Sequence, residues 1–258
     1  MPVKIDRHEN VGIIELNRPD QFNCMSMAAF ALIDQARRDF EADPDIRAIL
    51  IQATGKNFCT GADLSEVLQI RQSEKDLSDF LAIGHDALLG LESSPLPVIA
   101  AVQGLCLAGG LELMLACDVV FAAQSAQFGD QHAQFGLVPG WGGSQRLPRL
   151  IGLRRAMDMF LSAQWISAET ALSFGLINKI AEDALLIESA LSYCQKLAQK
   201  SPIGLAEMKE LAHQGLNGNL SDGLALERKT VLKYLQSETV TEGLDAFKSR
   251  RPPHFPSV

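Results

Sequence analysis

Glu112 is the side chain around which chemistry can be read. It lies in Leu96–Asp118, LPVIAAVQGLCLAGGLELMLACD, and is the only charged residue between Leu96 and Cys117. A lone carboxylate in apolar surroundings is costly, and such groups shift their pKa or are put to use. Gly109 and Gly110, just upstream, read as the start of a helix. Glycines there leave room for a ligand at the first turn, where unpaired N–H groups favour negative charge. A carboxylate beside such a turn suits acid–base chemistry on a species that develops an oxyanion. The alternative is that Glu112 caps its own helix, but a capping box needs Ser or Thr at position 109, which is glycine.

The elements that must position this residue follow from pattern. Pro97–Val102 is a continuous apolar run, as in a strand covered on both faces, and the helix from Gly109 is apolar all round, so it should be buried. Upstream, Val3–Asp6 and Val11–Leu16 read as strands joined at His8–Asn10, with Asn17-Arg18-Pro19-Asp20 closing the hairpin. Ser26 caps a helix to about Glu41, Ile46–Ala53 is a strand, and Phe58–Asp63 leads into one helical stretch. Its charged part, Arg71–Asp79, is either a lid or a solvated helix face. After a strand at Asp118–Ala123, Gly and Pro are dense from Gln127 to Arg149. Helical patterns follow at Leu153–Leu161 and Ser167–Phe174, with a strand near Leu176–Ile180. From Asp183 onward everything reads helical: Ala184–Gln199, Ile203–His213, Ser221–Leu235 and Thr241–Lys248. The change of pattern divides the chain into residues 1–200 and a helical region, 201–258. Ile46–Leu64, Leu96–Cys117 and Asp118–Phe128 share a strand-then-glycine-turn layout, which hints at a repeated, spiral arrangement.

Composition excludes several classes. A chain of 258 residues with 47% hydrophobic and 21% charged residues can bury a real core and is not disordered. A net charge of −8 argues against a nucleic-acid or acidic-membrane binder. The 5 cysteines (Cys24, Cys59, Cys106, Cys117, Cys194) form no CxxC pair and read as reduced, buried thiols. The N-terminus lacks an apolar targeting core, the C-terminal PHFPSV is no peroxisomal signal, and no apolar run approaches membrane-spanning length, so a cytoplasmic enzyme is the expectation. Gly140-Trp141-Gly142-Gly143 fails the dinucleotide fingerprint, Gly55-Lys56 is no P-loop, and Ser144 sits outside a GxSxG elbow. The histidines show no metal-ligand spacing, and no metal is expected.

Several separated segments occur together and in order: LNRP (Leu16–Pro19), KNFCTGADL (Lys56–Leu64), PVIAAVQGLCLAGGLELMLACD, AQFG with GLVPGWGGSQRLPRLIG (to Gly152), and EGLDAFKSRRPPHF (Glu242–Phe255). With these the chain resembles the crotonase family, also called the enoyl-CoA hydratase/isomerase superfamily. The resemblance implies an α/β fold, a spiral of repeated ββα units with an all-helical C-terminal trimerisation region, in a homotrimer or hexamer. It implies acyl-CoA thioester substrates, with coenzyme A as part of the substrate and no separate cofactor. By motif position the thioester oxygen would be held by the backbone N–H groups of Ala62 and Gly109 while an enolate forms, an arrangement that supplies preorganised electrostatic stabilisation.

Two carboxylates normally complete a hydratase of this family. Glu112 matches the first, which orients and deprotonates the attacking water. At the second, the proton donor to the α-carbon, this chain carries His132 in FGDQHAQFG. Histidine can donate or accept near neutral pH, and a neighbouring carboxylate favours its charged form. Either His132 takes over the acid role or it is a structural histidine in an altered site. Asp130, two residues earlier, is a weaker candidate to supply a carboxylate. For the coenzyme A moiety the resemblance points to Arg18, Lys56, Ala62 and Asp63, with Phe247 and Lys248 from a neighbouring subunit. Trp141, Met157 and Met159 either line an acyl pocket or pack the core. The implied reaction is reversible addition of water to a trans-2-enoyl-CoA. The alternatives are another enolate reaction (double-bond isomerisation or thioester hydrolysis) or non-catalytic acyl-CoA binding.

Overall fold

The computed structural model describes residues 1–255; the end of PHFPSV, residues 256–258, lies outside the described residues. Strands β1 (Val3–His8) and β2 (Val11–Leu16) form an antiparallel hairpin with Val3 opposite Leu16. Its turn is Glu9-Asn10, so β1 runs past Asp6, and Arg18-Pro19 starts a 3-10 turn after β2 rather than closing the hairpin. Then β3 (Ala48–Ala53), β4 (Val98–Val102), β6 (Val119–Ala123) and β9 (Lys179–Ala181) add in parallel, giving the order β1-β2-β3-β4-β6-β9. Every residue of β4 is buried, as its apolar run requires. The last strand is displaced from its expected position: Leu176 and Ile177 are buried outside β9, and Asn178 accepts the Val120 N–H through its side chain.

A second sheet explains the spiral. After β4 the chain makes β5 (Leu105–Leu107), and after β6 it makes β7 (Gln127–Gly129). After β3 only Cys59 plays this part, bridging Cys106. β7 also pairs with β8 (Ile166–Ser167). The chain thus passes three times from the large sheet to the small one and into helix or turn, the repeated layout expected from sequence. β5 lies inside the stretch expected to be a glycine turn; 3 residues are too few to show a period.

The helices cover these sheets. α1 (Met27–Ala42) is capped by Ser26, whose Oγ accepts from Ala29 N at 3.2 Å, and buries Phe30, Ile33 and Phe40. After Asp63 the chain forms two helices rather than one: α2 (Leu64–Ile70), then α3 (Glu74–Ser93), capped by Ser73. The charged Arg71–Asp79 run is the junction and the solvated first turns of α3, whose later turns bury Phe80, Leu88 and Leu91. α4 (Gly109–Leu115) follows β5, and α5 (Gly143–Ile151) arises inside the Gly/Pro-dense stretch, which had hidden it. α6 (Leu153–Ser162), α7 (Ala168–Phe174) and α8 (Leu186–Ala198) match expectation, as do α9 (Pro202–Leu216), α10 (Leu220–Tyr234) and α11 (Glu238–Lys248). No helix is long and apolar enough to cross a membrane among the described residues. The cysteines are free, and burial pushes the Cys59 and Cys194 thiols up to about 12.

A part-buried ion pair ties α9 to the sheet. Lys209 Nζ lies 2.7 Å from Asp118 Oδ2 and reaches the Leu91 and Leu96 carbonyls at 3.3 Å, while Asp118 Oδ2 also accepts the Val98 N–H at 2.7 Å. Burial raises the Asp118 pKa against the pull of Lys209. Replacing Lys209 with Met strands this carboxylate, and a loss of roughly 3 kcal/mol is expected. Chemical denaturation measures it, and adding Asp118→Asn should recover part of the loss.

Candidate active site

Glu112 sits in the first turn of α4, 1% exposed. Its Oε1 accepts two backbone N–H bonds, from Trp141 at 2.7 Å and from Gly143 at 2.8 Å. These donors come from the turn that starts α5, so the carboxylate is clamped between two elements. Oε2 has no hydrogen-bond partner among the described residues. Burial raises the Glu112 pKa; the two N–H bonds and the nearby His132 oppose it, and Asp130 adds to the rise.

His132 opens a 3-10 turn (His132–Phe135) after β7, and its side chain is 12% exposed. Nε2 lies 4.0 Å from Glu112 Oε2. Nδ1 lies 3.0 Å from both carboxylate oxygens of Asp130, which is itself 1% exposed. Asp130 Oδ1 also accepts the His132 backbone N–H at 3.2 Å. Burial works against a charge on His132, but the hydrogen bond and charge of Asp130, with the charge of Glu112, outweigh it and raise the pKa above that of a free histidine.

The segments that carry the two N–H groups expected to face an oxyanion pack against each other. Gly61 has φ +112 and packs so closely on the start of α4 that a Cβ there would lie 3.0 Å from Ala108 Cβ and 3.3 Å from Gly109 N. Neither Ala62 N–H nor Gly109 N–H donates to another group of the chain among the described residues. Ala108, which presents Gly109, has φ 48 and ψ −118, a conformation costing roughly 1–3 kcal/mol that the surroundings must hold. The glycines also serve internal packing. A Cβ on Gly109 would meet the Trp141 ring at 2.6 Å, and one on Gly110 would lie 2.2 Å from the Cys59 carbonyl oxygen. Without a Cβ at either position, the Trp141 ring and the Cys59 carbonyl can close onto the start of α4.

Among the remaining candidates, Arg18 and Asp63 are joined by a salt bridge at 2.7 Å, and Asp63 caps α2 through Ser65 N at 3.1 Å. Lys56 is exposed. Phe247, 83% exposed, and Lys248 stand on the surface at the end of α11. Met159 is core, whereas Met157 is exposed. Trp141 packs against Phe30 and Phe80, with ring centroids 4.6 Å and 5.2 Å away. Sequence reasoning missed the Trp141 and Gly143 N–H donors; the density of glycine around them was the only signal. It also undervalued Asp130, whose i to i+2 spacing from His132 suits a local side-chain contact.

A buried carboxylate, a histidine held by a second carboxylate and two N–H groups without a partner among the described residues are an arrangement with the chemical means for proton transfer. A family model described as Enoyl-CoA hydratase/isomerase matches residues 6–257, and the chain belongs to this family. It is 34% identical over 253 residues to a Mycobacterium bovis protein named "Probable enoyl-CoA hydratase echA8", covering 98% of this chain and 97% of that one. It is 35% identical over 252 residues to a Pongo abelii protein named "Enoyl-CoA hydratase, mitochondrial", covering 98% and 86%. A crystal structure described as enoyl-CoA hydratase from Bacillus anthracis superposes with a TM-score of 0.94 at 33% identity over 99% of both chains. The fold is therefore the crotonase spiral.

Two outcomes are expected. Gly110→Ala forces a Cβ onto the Cys59 carbonyl and should destabilise the protein by about 1–3 kcal/mol in denaturant titration. Glu112→Gln should raise the melting temperature at pH 7–8. The folded state holds the Glu112 pKa above its unfolded value, so stability is lost as pH rises from the ordinary carboxylate value through the raised one. A neutral Gln still accepts both N–H bonds, and the gain should shrink as the pH is lowered toward the ordinary carboxylate range.

Proposed function

We propose that the protein adds water reversibly across the double bond of a trans-2-enoyl-CoA, giving a 3-hydroxyacyl-CoA. The observation that carries this reading is the pairing of Glu112 Oε2, without a partner, and His132 Nε2, 4.0 Å apart. The free N–H groups of Ala62 and Gly109 polarise the thioester carbonyl and hold the enolate oxygen. Glu112, ionised, takes a proton from the attacking water as its oxygen bonds to C3. His132, protonated, gives its Nε2 proton to C2, and the N–H electron pair stays on the ring. Passage of the proton from Glu112 to His132 restores both groups.

The coenzyme A moiety is assigned to Arg18, Lys56, Ala62 and Asp63, with Phe247 and Lys248 of a second copy in a homotrimer or hexamer. This assignment is supported by family membership and by the exposure of Lys56, Phe247 and Lys248. Coenzyme A enters as part of the substrate and no separate cofactor takes part.

The test follows loss of the conjugated thioester absorbance with crotonyl-CoA and longer trans-2-enoyl-CoAs, with products identified by mass. Glu112→Gln and His132→Ala should each lower kcat by roughly 10²–10⁴-fold. The pH–rate profile for hydration should be bell-shaped. Activity falls below the raised pKa of Glu112, where the base is protonated, and above the raised pKa of His132, where the acid is lost. Binding of CoA esters with no water added would refute hydration. Turnover of a 3-enoyl-CoA or release of free CoA instead would identify the other enolate reactions.

A further inference from the structure

We propose that Asp130 is a positioning residue: its carboxylate fixes the neutral His132 ring in the tautomer that carries hydrogen on Nδ1, leaving Nε2 as the atom that exchanges the proton. This deepens the hydration reading, on which it rests for what Nε2 does to the substrate. Where the family pattern has a single carboxylate, this chain then uses a carboxylate–imidazole pair.

The geometry leaves the ring little choice. An ionised carboxylate only accepts hydrogen bonds, so with both Asp130 oxygens 3.0 Å from Nδ1, that nitrogen must be the donor. The His132 backbone N–H, 3.2 Å from Oδ1, holds the same carboxylate from a second direction. Asp130 is buried and the His132 side chain is mostly shielded, so the contact is not an exposed ion pair of little worth. On the opposite side of the ring, Nε2 faces Glu112 Oε2, the one oxygen of that carboxylate left unbonded. The charges that act on the ring are Asp130 from the loop after β7 and Glu112 from α4, and both favour the cation. When His132 gives its Nε2 proton to the α-carbon, Nδ1–H stays bonded to Asp130. Asp130 neither gains nor loses a proton, and the ring cannot turn over to present the wrong nitrogen.

The experiment uses full-length 15N-labelled protein and long-range 1H–15N correlation spectra of the imidazoles; His132 is identified by the signals absent from His132→Gln. The expected result is a neutral His132 protonated at Nδ1. In Asp130→Asn its titration midpoint should fall, and the alkaline limb of the hydration profile should move down with it. At pH 8 kcat should drop by roughly tenfold or more, with KM little changed. Asp130→Glu should restore part of the shift. A neutral wild-type ring protonated at Nε2, or an unchanged midpoint in Asp130→Asn, overturns the proposal. The tautomer is read on the wild type, so a variant that fails to fold does not remove the test. If no enoyl-CoA is hydrated, the proposed reaction fails, while tautomer and midpoint still decide the role of Asp130.

Discussion

Two backbone N–H groups converging on one oxygen of Glu112 are the interaction on which the site depends. Without them a carboxylate at this depth would make no hydrogen bond, a cost that favours its neutral form. With them the side chain is held in one orientation, its ionised form is partly compensated, and its second oxygen stays free. The donors belong to Trp141 and Gly143, so the same two bonds dock the start of α5 onto the first turn of α4. A Cβ at Gly143 would approach Glu112 Cγ to 3.0 Å, which leaves no slack in this joint.

The rest of the architecture brings the strands' ends to that joint. Successive passes of the chain from the large sheet to the small one set Cys59 beside Cys106 and Leu107 beside Gly129. The residues that follow those pairs, Gly61-Ala62, Ala108-Gly109 and Asp130–His132, are thereby gathered from three places in the sequence. The strained Ala108 backbone and the left-handed Gly61 lie where two of these passes meet, and the small sheet's hydrogen bonds, including Ala108 N–H to the Gly129 carbonyl at 3.0 Å, hold them there.

How much of this was legible depends on where each signal resides. Glu112 stood out because it is the one charge in a long apolar run, and β4 and α4 were readable from that same run. The C-terminal helices were readable because each is long enough to show its period. β5 is three residues long and α5 begins among glycines with Pro148 inside it, so neither leaves a pattern. Gly109 and Gly110 announced a close approach, and an indole and a carbonyl of the chain itself pack against them, which no pattern of residue types foretells. The clamp on Glu112 uses main-chain donors, and a main-chain donor has no residue type by which to find it. Asp130 was visible as a letter; only the turn into the 3-10 segment reveals that its carboxylate faces the ring two residues on.

The placement of Trp141 has a spectroscopic consequence. The protein has 2 tryptophans. Trp165 is 46% exposed, whereas Trp141 is buried between Phe30 and Phe80 with its ring against Gly109. Excitation of the native protein therefore samples one indole in a dry, rigid setting at the wall of the site and one in contact with water. Burial of its indole assigns the bluer part of the emission expected from this protein to Trp141, an optical probe beside Glu112 that needs no label.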